Sequence, residues 1–306
     1  MRKRIKILIA DKINTDNLLK YLPVEKFDVD LNFGITNDKI ISHYSKYDVL
    51  VIRSIRKIDM DLINSTSFKV IATCSRGHEN IDSDSAIVKG VQVLNTDHGN
   101  SVSAAEHTIG MIISFYKNFQ MSYELIKENK FSFNDFRRNE LNGKTIGIIG
   151  FGNIGTIVGK LTRAFEMNIL VNDVSESVID KYCKEFKFVS LNEILQQSDI
   201  ITIHIPGSFS NENFIDRSEL SLMKKECLLV NTSRGNIINE NELLSFLEKD
   251  KIRGAVLDVF NNEPLINERF LKLKNVFLTN HIAGKTEESS VKMADEIYNK
   301  VAEMMI

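Results

Sequence analysis

Residues 144–155 read KTIGIIGFGNIG, and they decide the fold of this chain. The apolar run 145–149 predicts a buried strand, and the segment 156–165 behind the glycines predicts a helix. A second apolar run, 168–171, leads to Asp173. A GxGxxG pattern alone is weak evidence, since glycines also make ordinary turns. Here a strand, a glycine turn, a helix, a second strand and an acid follow in the order that predicts a dinucleotide-binding unit.

Each glycine of this segment has its own purpose. Gly150 permits the tight turn out of the strand, Gly152 lets the backbone approach a pyrophosphate, and Gly155 lets helix and strand pack closely. The N-terminus of the helix offers N–H groups and partial positive charge to phosphates. Asp173 lies 18 residues beyond Gly155, where a carboxylate accepts hydrogen bonds from a ribose 2′-hydroxyl. Residues 174–177 contain no Arg or Lys to receive a 2′-phosphate, so the sequence predicts NAD rather than NADP.

The composition is that of an ordinary globular protein. With 306 residues the chain is long enough for two domains with full cores, and 43% hydrophobic and 26% charged residues are typical of soluble proteins. The net charge of −2 gives no indication of a nucleic-acid or anionic-membrane partner. No stretch approaches the ~20 apolar residues of a membrane helix. The basic start, residues 1–4, precedes a short apolar run ended by Asp11, which predicts a first strand rather than a signal peptide.

The cysteines indicate the compartment. Cys74, Cys183 and Cys227 are widely spaced and odd in number. We therefore expect a reducing, cytoplasmic environment, with neither a disulfide framework nor a bound metal.

Strand and helix signals alternate along the chain. Short apolar runs at 5–10, 48–53, 70–74 and 91–95 alternate with helical segments such as 15–21 and 58–64. Beyond the acid, further strands are expected at 199–205, 227–231, 254–259 and 276–278, and a last helix at 287–306. Alternation of this kind predicts parallel sheets with helices on both faces.

One predicted helix, 102–116, is apolar on most of its sides. Such a helix needs burial on most sides. A domain junction or a dimer interface would supply that burial, so we expect a homodimer formed through this region.

Three reactive side chains follow predicted strands in the second half of the chain. Arg234 follows the strand 227–231, Glu263 follows 254–259, and His281 follows 276–278. Ligands of open parallel sheets bind at the carboxyl ends of the strands. The three side chains are therefore expected at the edge where a nicotinamide would lie.

Their chemical types suit hydride transfer on a hydroxy acid. The fork of donors on Arg234 matches a carboxylate and can polarise a neighbouring carbonyl. His281 can accept the hydroxyl proton as hydride leaves carbon, and return it in the reverse direction. Glu263 would fix the imidazole tautomer and stabilise its positive charge. Taken singly, each residue has an ordinary alternative: a surface ion-pair partner, a turn residue before Pro264, and a strand-end cap.

With these residues in place, the chain resembles the D-isomer-specific 2-hydroxyacid dehydrogenases from about residue 50 to residue 304. The motifs that carry the resemblance are LNGKTIGIIGFGNIG (141–155), NTSRG (231–235), GAVLDVFNNEP (254–264) and NHIAG (280–284). Within the family the chain is most similar to the catalytic core of the D-3-phosphoglycerate dehydrogenases, through VIRSIRKID (51–59), ENID (79–82) and VLNTDHGNSVSAAEHTIGMI (93–112).

The predicted fold class is α/β, with two doubly wound parallel-sheet domains. A Rossmann NAD-binding domain, 99–282, is expected to be inserted into a flavodoxin-like substrate-binding domain that consists of 1–98 and 283–306.

The resemblance also implies roles for individual residues. It implies that His281 is the acid/base, that Glu263 is its partner, and that Arg234 binds the substrate. Asp258 would face the nicotinamide carboxamide. The complete set of predicted cofactor contacts is Gly150, Gly152, Asn153, Ile154, Gly155, Asp173, Thr232, Ser233, Asp258, Ala283 and Gly284. The predicted substrate contacts are Arg53, Ser75, Arg76, Gly77 and Asn100.

The chain departs from the family at the loop 74–78, which reads CSRGH where the family usually has small, glycine-rich residues. Arg76 either supplies positive charge for a phosphate or points to solvent, and Thr73 replaces an arginine often found there. The chain ends at Ile306, directly after the last predicted helix, so the regulatory domain of longer phosphoglycerate dehydrogenases is not expected.

Two further sites have open interpretations. Arg53, Arg56 and Lys57 either reach a phosphate or carboxylate, or form a solvated helix start, where basic residues oppose the helix dipole. That conflict favours a functional role for Arg53. His204 either borders the cofactor or is structural.

The predicted function is oxidation of 3-phosphoglycerate to 3-phosphohydroxypyruvate with NAD, as in serine synthesis. The alternative within the same chemistry is a hydroxypyruvate or glyoxylate reductase. A third possibility, from a different class, is an NAD-sensing transcriptional corepressor without enzymatic activity.

Overall fold

The computed structural model describes residues 4–131 and 137–306. The chain divides into two compact units: a first unit, 1–100 with 285–306, and a second unit, 101–284. Residues 1–3 of the predicted basic start lie outside the described residues, as do residues 132–136.

The first unit is built on five strands: β1 (Ile5–Ile9), β2 (Phe27–Leu31), β3 (Val49–Ile52), β4 (Val70–Thr73) and β5 (Gln92–Leu94). Its helices are α1 (Leu18–Tyr21), α2 (Asn37–Tyr44), α3 (Met60–Ser65), α4 (Ser83–Lys89) and the last helix of the chain, α13 (Glu287–Met305). All strand pairs are parallel, in the order β2-β1-β3-β4-β5. The winding direction therefore reverses between β1 and β3.

The second unit is built on seven strands: β6 (Thr145–Ile149), β7 (Asn168–Asn172), β8 (Lys187–Phe188), β9 (Ile200–Ile203), β10 (Leu228–Asn231), β11 (Gly254–Leu257) and β12 (Val276–Leu278). Its α-helices are α5 (Ser101–Lys117), α6 (Phe119–Lys127), α7 (Asn153–Arg163), α8 (Glu176–Tyr182), α9 (Leu191–Gln197), α10 (Arg217–Leu222), α11 (Glu240–Glu248) and α12 (Glu268–Leu271). The strands are parallel in the order β12-β11-β10-β9-β6-β7-β8, and the winding reverses between β6 and β9.

The strand sequences are apolar because both faces of each sheet are covered. Every residue of β3, β4, β9, β10 and β11 is buried, as expected when helices pack on both sides of a parallel sheet. In the first unit, Ile297 and Tyr298 of α13 belong to the core on one face, while Ile40 of α2 belongs to the core on the other. The predicted fold class, two doubly wound parallel sheets, is confirmed.

The sequence did not reveal the edge strands β2 and β8. The strand β2 reads FDVDL and β8 has two residues. Edge strands are solvated on one side, so they are short or carry charges, and neither strand gives the continuous apolar run on which the strand predictions were based.

Two helix predictions also differ from the structure. The helix behind the glycines begins at Asn153, ahead of the predicted start at 156. The proposed solvated helix start at Arg53 is wrong, because the next helix, α3, begins at Met60, where the Asp59 side chain accepts a hydrogen bond from the Leu62 amide.

The long apolar helix α5 is buried largely by its own unit. Ala105, Ile109, Ile112 and Tyr116 pack in a cluster that includes Val158 of α7 and strands of the second sheet. The second unit thus buries one side of α5, as the apolar composition of the helix predicts. None of the helices in the described ranges is both long and apolar enough to cross a membrane.

Candidate active site

The glycine loop between β6 and α7 leaves open space at the start of the helix. Gly150 has φ +86°, a left-handed conformation that favours glycine, and a Cβ on Gly155 would lie 2.1 Å from the Gly150 oxygen. Gly152 is the N-cap of α7, where no side chain provides a cap. A Cβ on Gly152 would meet no heavy atom within 4 Å. The loop therefore fits a pyrophosphate, which would bind against bare backbone at a helix N-terminus.

Asp173 is fixed beside this loop, directly after β7. One carboxylate oxygen accepts a hydrogen bond from the Phe151 amide at 2.6 Å, and the other accepts one from the Ser175 amide at 2.8 Å. The carboxylate is half-buried and retains lone pairs for a further donor such as a ribose hydroxyl. The acid at the end of the second strand is thus tied to the backbone of the glycine loop.

His281 and Glu263 form a hydrogen-bonded pair in the loops after β12 and β11. The distance from His281 Nδ1 to Glu263 Oε2 is 2.6 Å. The other carboxylate oxygen, Oε1, accepts a hydrogen bond from the Phe260 amide at 3.0 Å. Glu263 therefore does more than form a turn before Pro264, because its side chain holds the imidazole.

This pairing determines the chemistry that the imidazole can perform. Burial alone would raise the pKa of the Glu263 carboxyl, but the hydrogen bonds from His281 and the Phe260 amide outweigh burial and leave that pKa below its usual range. An ionised carboxylate only accepts, so His281 Nδ1 carries a proton. In the neutral ring, Nε2 is then a free base, the form required to accept a hydroxyl proton.

His281 occupies an unusual backbone conformation. Its φ is +57°, in the left-handed region that non-glycine residues rarely adopt, although histidine is among those enriched there. Its amide donates to the Asp258 carbonyl at 2.8 Å. The turn 279–283 is thus tied to the end of β11.

Asp258 organises that turn. Its side chain is fully buried, and it accepts hydrogen bonds from the amides of Ile282 and Ala283 at 2.9 Å each and from the Thr279 hydroxyl at 2.5 Å. His107 Nε2 of α5 lies 3.5 Å away. Burial alone would raise the pKa of Asp258, but the hydrogen bonds from these four partners outweigh it, and the pKa lies below its usual range.

Sequence reasoning did not identify Thr279 and His107 as members of this network. Their side chains also contact each other, with 3.2 Å between Thr279 Oγ1 and His107 Nε2. His107 belongs to the apolar helix α5, and 172 residues separate it from Thr279. The available signal was a polar residue within an apolar helix, which indicates a buried partner without identifying it.

Arg234 lies in the loop after β10, the strand that neighbours β11. It is half-buried, its Nη1 donates to the Ser233 carbonyl at 2.8 Å, and its carbonyl accepts from Asn231 Nδ2. A Cβ on Gly207 would lie 2.6 Å from Arg234 Cγ, so the arginine stem packs on bare backbone. Because β10, β11 and β12 are adjacent and parallel, Arg234, Glu263 and His281 follow neighbouring strands at one edge of the sheet.

The other predicted cofactor residues of the second unit lie in the same loops. Thr232 is buried and its hydroxyl lies 2.7 Å from that of Thr108, while the Ser233 amide donates to Asn231 Oδ1. The Ala283 carbonyl accepts from the Ser103 hydroxyl at 2.7 Å. Gly284 follows directly and ends the second unit.

His204 follows β9 and supports the glycine loop. A Cβ on Gly150 would lie 2.8 Å from the His204 carbonyl carbon and oxygen. Its ring Nε2 lies 3.0 Å from the Thr202 hydroxyl, and burial lowers the pKa of His204 to about 3. The imidazole is therefore neutral at physiological pH, and among the described residues its Nδ1 has no hydrogen-bond partner.

The first unit contains the predicted substrate residues. Arg53 is half-buried directly after β3, and Arg76 is exposed with Nη1 donating to the Asp97 carbonyl at 2.7 Å. The Ser75 hydroxyl donates to the Gly77 carbonyl at 2.7 Å, which closes the loop after β4. The side-chain oxygen of Asn100 is buried, without a hydrogen-bond partner among the described residues.

Arg56 is held within the first unit and does not extend toward a ligand. Its guanidinium contacts the Asp11 carboxylate at 2.6 Å, and both side chains are about nine-tenths buried. It also donates to Asn37 Oδ1 and to the Ala10 carbonyl. The hypothesis that Arg56 reaches a substrate is therefore not supported by its contacts.

In the described part of the chain, no group of three or more His, Cys, Asp or Glu side chains is arranged to hold a metal ion. The three cysteines are unpaired: Cys74 and Cys227 are buried and Cys183 is exposed.

The geometry of the second unit defines a class of protein. A backbone site for a pyrophosphate at the end of β6 and an imidazole–carboxylate pair at the ends of β11 and β12 lie on the same edge of one parallel sheet. That arrangement suits a nicotinamide-dependent oxidoreductase, in which a nucleotide binds across the carboxyl edge and a base accepts a proton there.

Comparison with known proteins identifies the family. Residues 109–283 match the NAD-binding domain of the D-isomer specific 2-hydroxyacid dehydrogenases. The chain is 32% identical to a hydroxypyruvate reductase from Thermotoga maritima over 302 residues, which cover 97% of both chains. This chain belongs to the D-isomer specific 2-hydroxyacid dehydrogenase family, and its cofactor is NAD(P).

Two other relatives show what the similarity covers. A D-3-phosphoglycerate dehydrogenase from Methanocaldococcus jannaschii is 36% identical over 290 residues, which are 93% of this chain and 54% of that protein. The chain thus spans about half the length of the phosphoglycerate dehydrogenases it matches. A D-lactate dehydrogenase from Aquifex aeolicus, solved with NAD and lactic acid, superimposes with a TM-score of 0.82 at 26% identity, covering 97% of this chain and 95% of that one.

Proposed function

We propose that the protein oxidises the D-2-hydroxy acid 3-phosphoglycerate to 3-phosphohydroxypyruvate with NAD, or catalyses the reverse reduction. The observation that carries the dehydrogenase chemistry is the 2.6 Å hydrogen bond between His281 Nδ1 and Glu263, which directs Nε2 toward proton transfer. The choice of a phosphorylated substrate is supported by the identity to phosphoglycerate dehydrogenases and by the cationic residues after β1 and β3.

The proposed mechanism assigns one task to each residue. His281 accepts the proton of the substrate hydroxyl on Nε2, and Glu263 stabilises the imidazolium that results. Arg234 binds the substrate carboxylate and polarises the neighbouring carbon–oxygen bond. When bound, NAD supplies the hydride acceptor. Arg53, Ser75, Arg76, Gly77 and Asn100 are proposed substrate contacts.

The cofactor would be bound through the second unit. The glycine loop, with the amides of Asn153 and Ile154, receives the pyrophosphate. Asp173 accepts the ribose 2′-hydroxyl and thereby selects NAD over NADP. The additional predicted contacts remain proposals; they are Thr232, Ser233, Asp258, Ala283 and Gly284. The contacts of Asp258 support a role in holding the turn that contains His281. They give less direct support to the prediction that Asp258 faces the nicotinamide.

A second candidate is hydroxypyruvate reduction. It is favoured by the Thermotoga maritima hydroxypyruvate reductase, which this chain matches over nearly the full length of both proteins. Its chemistry uses the same three residues, and the difference is confined to what the first unit recognises.

We also propose a homodimer formed through the region of α5 and a reducing, cytoplasmic location. The dimer is supported by the exposed apolar side chains of the helix that follows α5, where Phe119, Tyr123 and Ile126 are all more than half exposed. The location is supported by the three unpaired cysteines.

The substrate is tested by following NADH absorbance with 3-phosphohydroxypyruvate, hydroxypyruvate and glyoxylate. We expect kcat/KM for the phosphorylated acid to exceed the others by ~100-fold, or about 2.7 kcal/mol of transition-state discrimination. Equal or better turnover of the unphosphorylated acids would identify a hydroxypyruvate or glyoxylate reductase and contradict the phosphoglycerate assignment.

A further inference from the structure

A pocket of about 380 Å³ lies at the carboxyl ends of β1 and β3 in the first unit. Lys12, which follows β1, and Arg53, which follows β3, line it together with Asp16 and Ser290. These two strands are adjacent, and the winding of the sheet reverses between them. In open α/β sheets the crevice at such a reversal is where ligands bind.

Two positive charges remain available at this pocket after the neighbouring ion pair is assigned. Asp11 is fully engaged, because it accepts from the Arg53 amide at 3.0 Å and from the Arg56 guanidinium. The Asp11 carboxylate therefore neutralises the charge of Arg56, which does not line the pocket. Within the described ranges, the side chains of Lys12 and Arg53 form no ion pair with a carboxylate.

The loop that carries Lys12 is held in place by α13. The Tyr298 hydroxyl donates to the Asn14 carbonyl at 2.7 Å, and Asn17 Nδ2 donates to Asp295 at 2.9 Å. Within the loop, the Asp16 carboxylate accepts from Asn14 Nδ2 at 2.9 Å. These contacts hold the backbone from residue 14 to residue 17, so this part of the loop loses little freedom on binding.

We propose that Lys12 is a specificity-determining residue, which together with Arg53 binds the phosphate of a phosphorylated 2-hydroxy acid. A phosphate monoester carries nearly two negative charges and three acceptor oxygens, and the arginine fork and the lysine ammonium supply two charges and several donors. An unphosphorylated 2-hydroxy acid has only its carboxylate, the group that the proposed function assigns to Arg234. The negative charge of Asp16 repels the phosphate and lowers the affinity of the pocket for it.

This proposal rests on the proposed dehydrogenase function and makes its substrate class specific. The experiment compares kcat/KM for 3-phosphohydroxypyruvate with kcat/KM for hydroxypyruvate in the wild-type protein and in Lys12→Met. We expect the ratio of the two to fall ~10-fold or more, the loss typical of a hydrogen bond to a charged group. Asp16→Asn, which removes the opposing charge, is expected to raise the same ratio.

Lys39→Met provides the matched control. Lys39 is exposed on α2, which packs on the opposite face of the sheet from α13, and it does not line the pocket, so this substitution removes one lysine charge outside the proposed site. Its ratio should equal that of the wild type. A Lys12→Met variant with an unchanged ratio, whether both activities are retained or both fall alike, would overturn the proposal.

A binding measurement separates this proposal from the proposed function. Calorimetric titration with 3-phosphoglycerate and with glycerate needs no turnover, and Lys12→Met should weaken only the binding of the phosphorylated acid. If the wild-type protein reduced no 2-oxo acid with NADH but bound 3-phosphoglycerate through Lys12, the proposed function would fail and the phosphate site would stand. If the wild-type protein reduced hydroxypyruvate but Lys12→Met left 3-phosphoglycerate binding unchanged, the dehydrogenase function would stand and the phosphate site would fail.

Discussion

Single residues determine the chemistry of this protein, and hydrogen bonds fix the state of each. The Glu263 carboxylate holds His281 by Nδ1, so the opposite nitrogen, Nε2, is the one proposed to accept the substrate proton. The Asp173 carboxylate is held by two backbone amides, so it lies at a set position beside the glycine loop. In both cases the side chain is oriented before any ligand arrives, which lowers the cost of binding and of the reaction.

Asp173 allows a test of cofactor choice at this scale. Asp173→Ala removes the carboxylate that would accept the ribose hydroxyl and that would repel a 2′-phosphate. We expect the Kd of NADH to rise ~10-fold, as for a lost hydrogen bond to a charged group, while the Kd of NADPH falls. Fluorescence titration with both nucleotides measures the effect. Unchanged selectivity would mean that another residue reads the ribose.

At the scale of elements, the turn after β12 depends on a single buried carboxylate at the end of β11. Asp258 accepts hydrogen bonds from the Ile282 and Ala283 amides and from Thr279, and His281 lies inside the turn that these bonds close. The left-handed conformation of His281 is thus maintained from the end of a neighbouring strand, and loss of the Asp258 carboxylate would loosen the turn that carries the imidazole.

The prediction for Asp258→Asn concerns stability and its dependence on pH. The side-chain NH2 group of the asparagine would face backbone N–H or hydroxyl groups that are themselves donors. We therefore expect the unfolding free energy at pH 7 to fall by about 2 kcal/mol. The pKa of Asp258 is lowered in the folded state. Its stabilising contribution is therefore complete above the unfolded pKa of about 3.9 and is lost as the pH falls through the folded value.

Denaturant unfolding of both proteins between pH 7 and pH 3 measures this difference. The gap between wild type and variant should stay constant down to about pH 4 and then narrow. Equal unfolding free energies at pH 7 would show that Asp258 does not hold the turn.

The same scale shows what the sequence can predict. Buried parallel strands and the glycine turn produce local, continuous signals, so β6, α7 and the alternation of elements could be predicted. Edge strands such as β2 give weak signals because one side is solvated. The contacts of Asp258 with Thr279 and His107, and of Arg56 with Asp11, join residues far apart in the chain. Such pairs depend on tertiary packing, which no local pattern encodes.

At the scale of the whole molecule, the two units are each complete around their own sheet. The first unit recovers the C-terminal helix α13, with Ala294, Ile297 and Val301 fully buried in its core. The second unit buries most of α5 but leaves α6 without a single buried residue. We propose that this exposed apolar surface of α6 takes part in the dimer.

The oligomeric state tests the interpretation of that surface. We expect light scattering coupled to size exclusion to give twice the mass of one chain for the wild type. Ile126→Glu should give the mass of one chain, because a buried unpaired charge opposes association. Glu128→Lys, a larger charge change just beyond the helix, is the control and should keep the mass of the wild type. A wild-type protein with the mass of a single chain at micromolar concentration would contradict the dimer.

The most direct test of the central claim is the rate of NADH oxidation with 3-phosphohydroxypyruvate and hydroxypyruvate by the wild type and His281→Gln, measured beside NADH binding. We expect turnover by the wild type, and a loss of kcat of at least ~100-fold in the variant, the usual contribution of a general acid–base. NADH affinity should be unchanged, since His281 acts on the substrate proton. A variant that keeps wild-type kcat, or a wild type that binds NADH and reduces neither acid, would contradict the account.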